Sequence, residues 1–154
     1  MTAPIPARPA FIPSVVYKDN RAAMAWLERA FGFDAAEVLV DSRDNIVHAE
    51  MSHGGGVVMI SSEFAEWARS PASSGGTNTQ RIHVRIEKDI DAHCERARQA
   101  GATIMAEPRE QFYGDRTYAA IDLEGHHWTF SQPVRQVSSQ EMEQATGFKF
   151  KKLA

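Results

Sequence analysis

The chain has 154 residues, a formal net charge of -3 from 17 Lys+Arg against 20 Asp+Glu, 43% hydrophobic residues, six histidines and one cysteine. A single domain of this length buries roughly 70% of the surface its unfolded chain exposes and requires neither disulfides nor a structural metal. Near-balanced charge argues against a nucleic-acid binder, and no apolar run nears the roughly 20 residues that span a bilayer or forms a signal-peptide core. The expectation is a cytoplasmic protein with no nucleic-acid or membrane partner.

The first ten residues, MTAPIPARPA, read as an extended Pro-rich leader, an arm suited to lie on a partner subunit. Phe11 to Lys18 follows as a strand, with Pro13 at a start or edge position. Asp19 caps a helix in which Ala23, Trp26, Leu27, Ala30 and Phe31 recur at helical spacing, and Gly32 stands where a C′ glycine ends one. Ala35 to Asp41, Ile46 to Ser52 and Val57 to Ser61 read as strands, the last two joined by a turn at His53-Gly54-Gly55-Gly56. Glu63 to Thr79 changes character, with Phe64 and Trp67 followed by Ser, Pro, Gly and Asn, and reads as a helical turn leading into a flexible linker. Arg81 to Ile86 restarts the pattern as a strand. Asp89 then caps a helix with Ile90, Cys94 and Ala97 inward, and Gly101 ends it. Strands over Ala102 to Glu107, Thr117 to Asp122 and His127 to Ser131 follow, before a polar tail with a capping box at Ser138 and Glu141.

The second half repeats the landmarks of the first. Gly32 and Gly101 are 69 residues apart, as are Gly56 and Gly125, and Asp19 stands 70 before Asp89. One β-α-β-β-β unit therefore occurs twice, which makes the fold α+β. The predicted domain covers 11–133, in modules of about 11–64 and 80–133, with a leader over 1–10 and a tail over 134–154.

With its opening SVVYKDNRAAMAWLERAFGF, its hairpin VHAEMSHGGGVVMIS and its closing YGDRTYAAIDLEGHHWTFSQ, the chain resembles the vicinal oxygen chelate superfamily. This is the glyoxalase, bleomycin-resistance and extradiol-dioxygenase group, and the PhnB-like members are the most similar. The resemblance implies two βαβββ modules forming a U-shaped cleft, completed in a homodimer. It does not imply one activity, because the family holds isomerases, lyases, dioxygenases and drug-sequestering binders.

Strand alternation sorts residues by face. It turns His48, Glu50 and Ser52 toward the cleft and Val47, Ala49 and Met51 toward the core; Val57, Met59 and Ser61 face the cleft, as do Arg81, His83 and Arg85, and His127, Thr129 and Ser131. The faces of Tyr118 and Asp122 stay open. The positions at which metal-dependent relatives place their ligands are, by the resemblance, Ile12, Met59, Arg81 and Thr129, an unsuitable set for a divalent ion. A displaced metal site drawn from His48, Glu50, His83 and His127 is the rival, and Glu50 with His83 is the candidate metal-free acid/base pair. Arg81 and Arg85 are candidates to fork a carboxylate or phosphonate, or else to pair with Glu50, Asp122 or a partner subunit. Trp67, Phe64, Phe112 and Tyr113 are loop aromatics suited to stack on a flat ligand, with dimer packing as the other role for Trp67. Cys94 reads as a small apolar core residue, and His53 and His93 as exposed.

The leading expectation is thus a metal-independent small-molecule binder with no cofactor, sequestering a drug or metabolite in a cleft of His48, Glu50, Met59, Arg81, His83, Arg85, His127, Thr129 and Trp67. The competing one is an enzyme of the same superfamily, a lyase, isomerase or dioxygenase.

Overall fold

The structure, a computed structural model, describes residues 2–153. The first module runs β1 (Ser14–Tyr17), α1 (Asn20–Phe31), β2 (Asp34–Val40), β3 (Ile46–His53) and β4 (Gly56–Ser62). The second runs β5 (Arg81–Arg85), α2 (Ile90–Gln99), β6 (Thr103–Glu110), β7 (Asp115–Ile121) and β8 (His127–Pro133), and α3 (Ser139–Thr146) follows in the tail. Each module forms its own sheet, in the orders β1-β4-β3-β2 and β5-β8-β7-β6, with the first pair parallel and the others antiparallel. The repeat extends to side chains. Ser14 and Ser61 oxygens lie 2.9 Å apart across β1 and β4, and at the equivalent place His83 and Ser131 meet at 2.8 Å across β5 and β8.

The first strand is shorter than its apolar run because Pro13 has no N–H to give; its carbonyl instead accepts from the Met59 amide, and pairing in strand register begins at Ser14. Helix α1 starts where Asp19 accepts the Ala22 N–H and stops at Gly32 in the left-handed conformation, φ +70°. Pro108, read in the sequence as beyond a strand, lies within β6. That strand is the sheet's edge, where a missing donor and a bulge between Ala106 and Arg109 are tolerated.

The two helices pack against each other, and the apolar faces of both sheets close on them in one core containing Tyr17, Leu27, Phe31, Met51, Ile60, Trp128 and Phe130. Each helix caps the other. Arg96 of α2 donates to the α1 carbonyls of Glu28 and Arg29, both at 2.8 Å, and the Trp26 indole of α1 donates to Ala100 O at the end of α2, at 2.8 Å. His93 also joins the helix ends: its Nε2 bonds Phe31 O at 2.9 Å while Nδ1 meets the Tyr118 hydroxyl at 2.7 Å. The carbonyl can only accept, so Nε2 carries the proton and Nδ1 takes the tyrosine's. His93 is half-buried, and so is His53, which packs beside Phe33; the expectation that both are exposed is corrected. Burial holds the His93 imidazole below the usual histidine range.

Tyr118 and Asp122, left open by the sequence, are buried. Tyr118 stacks on Phe130, and Asp122 accepts from the Tyr17 hydroxyl at 2.6 Å, the Trp128 indole at 3.0 Å and two turn amides. Cys94 is buried as expected, and its thiol is pushed up to about 11. Two further expectations are corrected. The segment after Glu63 is anchored: fully buried Ser70 binds Glu63 and Glu124, and Glu124 also accepts from the Lys18 and Asp19 amides, joining linker, helix start and closing turn. Val47 alternates with core residues yet is 64% exposed, as are all residues of β2 beside it, because the sheet runs out past α1. Among the described residues, no helix is long and apolar enough to cross a membrane.

Candidate functional site

Two neighbouring cavities share one residue, His83. The smaller, about 260 Å³, opens between the β3–β4 hairpin and β5. Phe33, Met51, Val58, Ile82, Val84 and Trp128 supply its apolar wall, Phe11 stands at its mouth, and His83 and Arg85 add polar groups. The larger, about 580 Å³, lies in the hollow of the second sheet. Its floor comes from the central strands and is made of short side chains, Thr117 and Ala119 of β7 and Thr129 of β8. Its walls come from the two edge strands, with Arg81 and His83 on β5 and Arg109 on β6, while Tyr113 of the β6–β7 turn closes one side. A curved sheet with small residues at its centre and long ones at its edges leaves a trough by construction.

His83 is fixed by Ser131, which is buried beside Thr117, itself bonded by Gln111 at 2.9 Å. Glu107 on the cavity wall is neutralised from behind by Arg98, which grips both its oxygens at 2.9 and 2.8 Å. Among the described residues, Arg81, Arg85 and Arg109 have no carboxylate within salt-bridge distance, as is true of Arg29, Arg43, Arg96 and Arg135, whereas Arg8, Arg21, Arg69 and Arg116 each have one and Arg98 has two. The cavity is therefore locally basic in a chain of net negative charge.

The first module's polar face carries the opposite charge. Glu37 and Glu50 stand directly across β2 and β3, a repulsive placement relieved by His48, 3.2 Å from Glu50 and 3.7 Å from Glu37. From the leader, Arg8 reaches Glu50 at 2.7 Å, and this guanidinium is the main influence holding the Glu50 carboxyl below the usual carboxylate range.

Several sequence-predicted groupings are not brought together. Glu50 is engaged by Arg8 and His48, while His83 is bonded to Ser131 on the other sheet, so the acid/base pair is not assembled in this chain. His48 and Glu50 touch, but His83 is not with them and His127 stands opposite Arg81 in register. Among the described residues, no three His, Cys, Asp or Glu side chains converge as metal donors, so the residues present do not fit the ion that metal-dependent relatives hold. Arg81 and Arg85, four residues apart on a strand, line different cavities and form no fork. Neither pairs with Glu50 or Asp122. Met59 lies opposite Glu50, and Ile12 precedes the strand. Trp67 is 78% exposed, packs edge-on against Phe64 at 5.2 Å and lines neither cavity. Arg109 and Gln111 were missed because Pro108 was read as ending the strand, and Thr117 because the face of its own strand was left open; continuing the alternation of Thr103–Glu107 past Pro108 puts Arg109 on the face of Thr103.

A sequence profile of the Glyoxalase/Bleomycin resistance protein/Dioxygenase superfamily matches residues 12–130, and the chain belongs to that superfamily. The uncharacterized protein Rv0887c of Mycobacterium tuberculosis (strain ATCC 25618 / H37Rv) is 35% identical over 150 residues, covering 94% of this chain and 86% of the relative. Among solved structures, TioX from Micromonospora sp. ML1 is similar with a TM-score of 0.65 and 32% identity, over 80% of this chain and 97% of that one. TnmS3, an antibiotic binding protein from Streptomyces sp. CB03234, shares the fold with a TM-score of 0.61 at 18% identity, over 81% and 97%.

Proposed function

We propose that this chain is a metal-independent binder that sequesters a small organic molecule in the cavities around His83, in the manner its antibiotic-binding structural neighbour suggests. The observation carrying the reading is the pair of cavities that meet at His83, one apolar and one polar, whose polar groups are placed to contact a ligand. The His83–Ser131 hydrogen bond has the length of a base and nucleophile, but Ser131 is buried and, among the described residues, no carboxylate is bonded to His83 to orient it. In this reading the ligand meets Arg81, His83, Arg85 and Thr129, and His48, Glu50, Met59 and His127 join through a second copy of the chain. The protein acts as a cytoplasmic homodimer of PhnB-like kind. Exposed Val38, Leu39, Val40 and Val47, with Trp67, support such pairing.

Elemental analysis of protein purified without chelator, followed by titration of flat aromatic drugs against the tryptophan fluorescence, to which Trp128 of the apolar wall contributes, tests the proposal. Saturable quenching with metal far below one equivalent is expected. Stoichiometric zinc, iron, manganese or nickel would overturn metal independence.

A further inference from the structure

We infer that the larger cavity selects an organic acid: a flat molecule whose carboxylate, sulfonate or phosphonate group is drawn to the basic rim supplied by Arg81 and Arg109 while its ring lies over the Ala119 and Thr129 floor beside Tyr113. The inference rests on the binding reading above and adds the ligand's charge.

Three independent features of the cavity lead to it. The two arginines come from opposite edge strands of one sheet and line the same hollow, so an acidic group entering it finds a planar guanidinium fork at either rim. Among the described residues both are without carboxylate partners, so both guanidiniums are open to a ligand, although acidic residues exceed basic ones in the chain. The one acidic side chain on the wall, Glu107, is turned to Arg98 by a two-oxygen grip, which removes the competitor that would otherwise occupy Arg81 or Arg109. Arg85 adds a third unpaired cation at the adjoining apolar chamber, across His83. A cationic ligand would be repelled here. A neutral one would leave two charged groups with nothing but water, so the anion is the occupant that the electrostatics favour. The short floor residues leave space for a ring, and Tyr113, packed edge-on against Phe112 at 5.1 Å, is positioned to flank it.

A matched pair of probes separates charge from shape. The dye 8-anilinonaphthalene-1-sulfonate differs from N-phenyl-1-naphthylamine only by its sulfonate, and both brighten on entering apolar sites. In titrations of the full chain, the sulfonate is expected to bind about tenfold tighter than the neutral dye. Arg81→Gln and Arg109→Gln, both at exposed positions, should each weaken that preference and together erase it while leaving the neutral dye's affinity unchanged; Arg43→Ala, on a distant turn, should alter neither. Thr129→Trp, which fills the floor, should abolish binding of both dyes with the fold intact by circular dichroism. Equal affinity for the two dyes, or a preference that survives the Arg81→Gln/Arg109→Gln double variant, would overturn the acid assignment and leave the cavity standing as a binding site. Absence of binding by either dye, or Thr129→Trp binding as the wild type does, would remove the binding reading and this inference with it.

Discussion

At the scale of single residues, His93 shows how burial sets chemistry. Its neutral Nε2–H form satisfies both Phe31 O and the Tyr118 hydroxyl, and protonation would place a charge beside Phe31 and Phe130 in a half-buried position. Its folded pKa lies below the unfolded value of 6.5, so below about pH 6.5 the unfolded chain binds the extra proton and stability falls as the pH drops toward the folded pKa. The loss is at most about 1.4 kcal/mol per pH unit. Urea midpoints between pH 7.5 and 5.5 should decline in the wild type and decline less in His93→Gln. The carboxylates of Glu50 and Asp91, held low by Arg8 and Arg116, contribute in the opposite sense: their stabilisation is full above the ordinary carboxylate range and is lost only at more acidic pH. The two effects therefore occupy separate pH windows.

Among the elements, the ends of the helices decide how the modules dock. Gly32 has φ +70°, and a Cβ there would also meet Arg96 Nη1 at 2.9 Å, so the same glycine ends α1 and makes room for the arginine that caps it. Gly32→Ala is expected to destabilise by about 1–2 kcal/mol from the left-handed backbone alone, and Arg96→Ala by about 1–2 kcal/mol through two lost charge-assisted hydrogen bonds. The double variant should cost less than the sum, because the alanine methyl no longer opposes a guanidinium; chemical denaturation of the four proteins measures the coupling. Additive losses would show that Arg96 yields freely to the methyl group.

For the whole molecule, one core and one buried carboxylate tie the repeats together. Asp122, at the closing turn of the second module, holds Tyr17 of the first and Trp128 of its own, and His126 beside it bonds Val16 O at 2.6 Å. Far-ultraviolet dichroism and tryptophan fluorescence should therefore report one coincident unfolding transition, not one per module. Asp122→Ala should lower stability by about 3 kcal/mol, since it leaves the buried tyrosine hydroxyl and indole N–H without their acceptor. Non-coincident curves would show that the modules unfold separately.

The sequence by itself determined what depends on local rules: the two helices from their periodicity and caps, the strands from alternation, and the repeat from landmarks kept 69 or 70 residues apart. It put Arg81, His83 and Thr129 on one polar face because side chains alternate on a strand whatever surrounds it. Which residues meet across strands and modules depends on sheet order and curvature, and only the tertiary structure decided that. It separated Glu50 from His83, left Trp67 outside the cavities, anchored the linker through Ser70 and turned His93 inward. It also brought Arg109 into the cavity that Arg81 lines, because Pro108 ends a central strand in local terms but is tolerated on an edge strand.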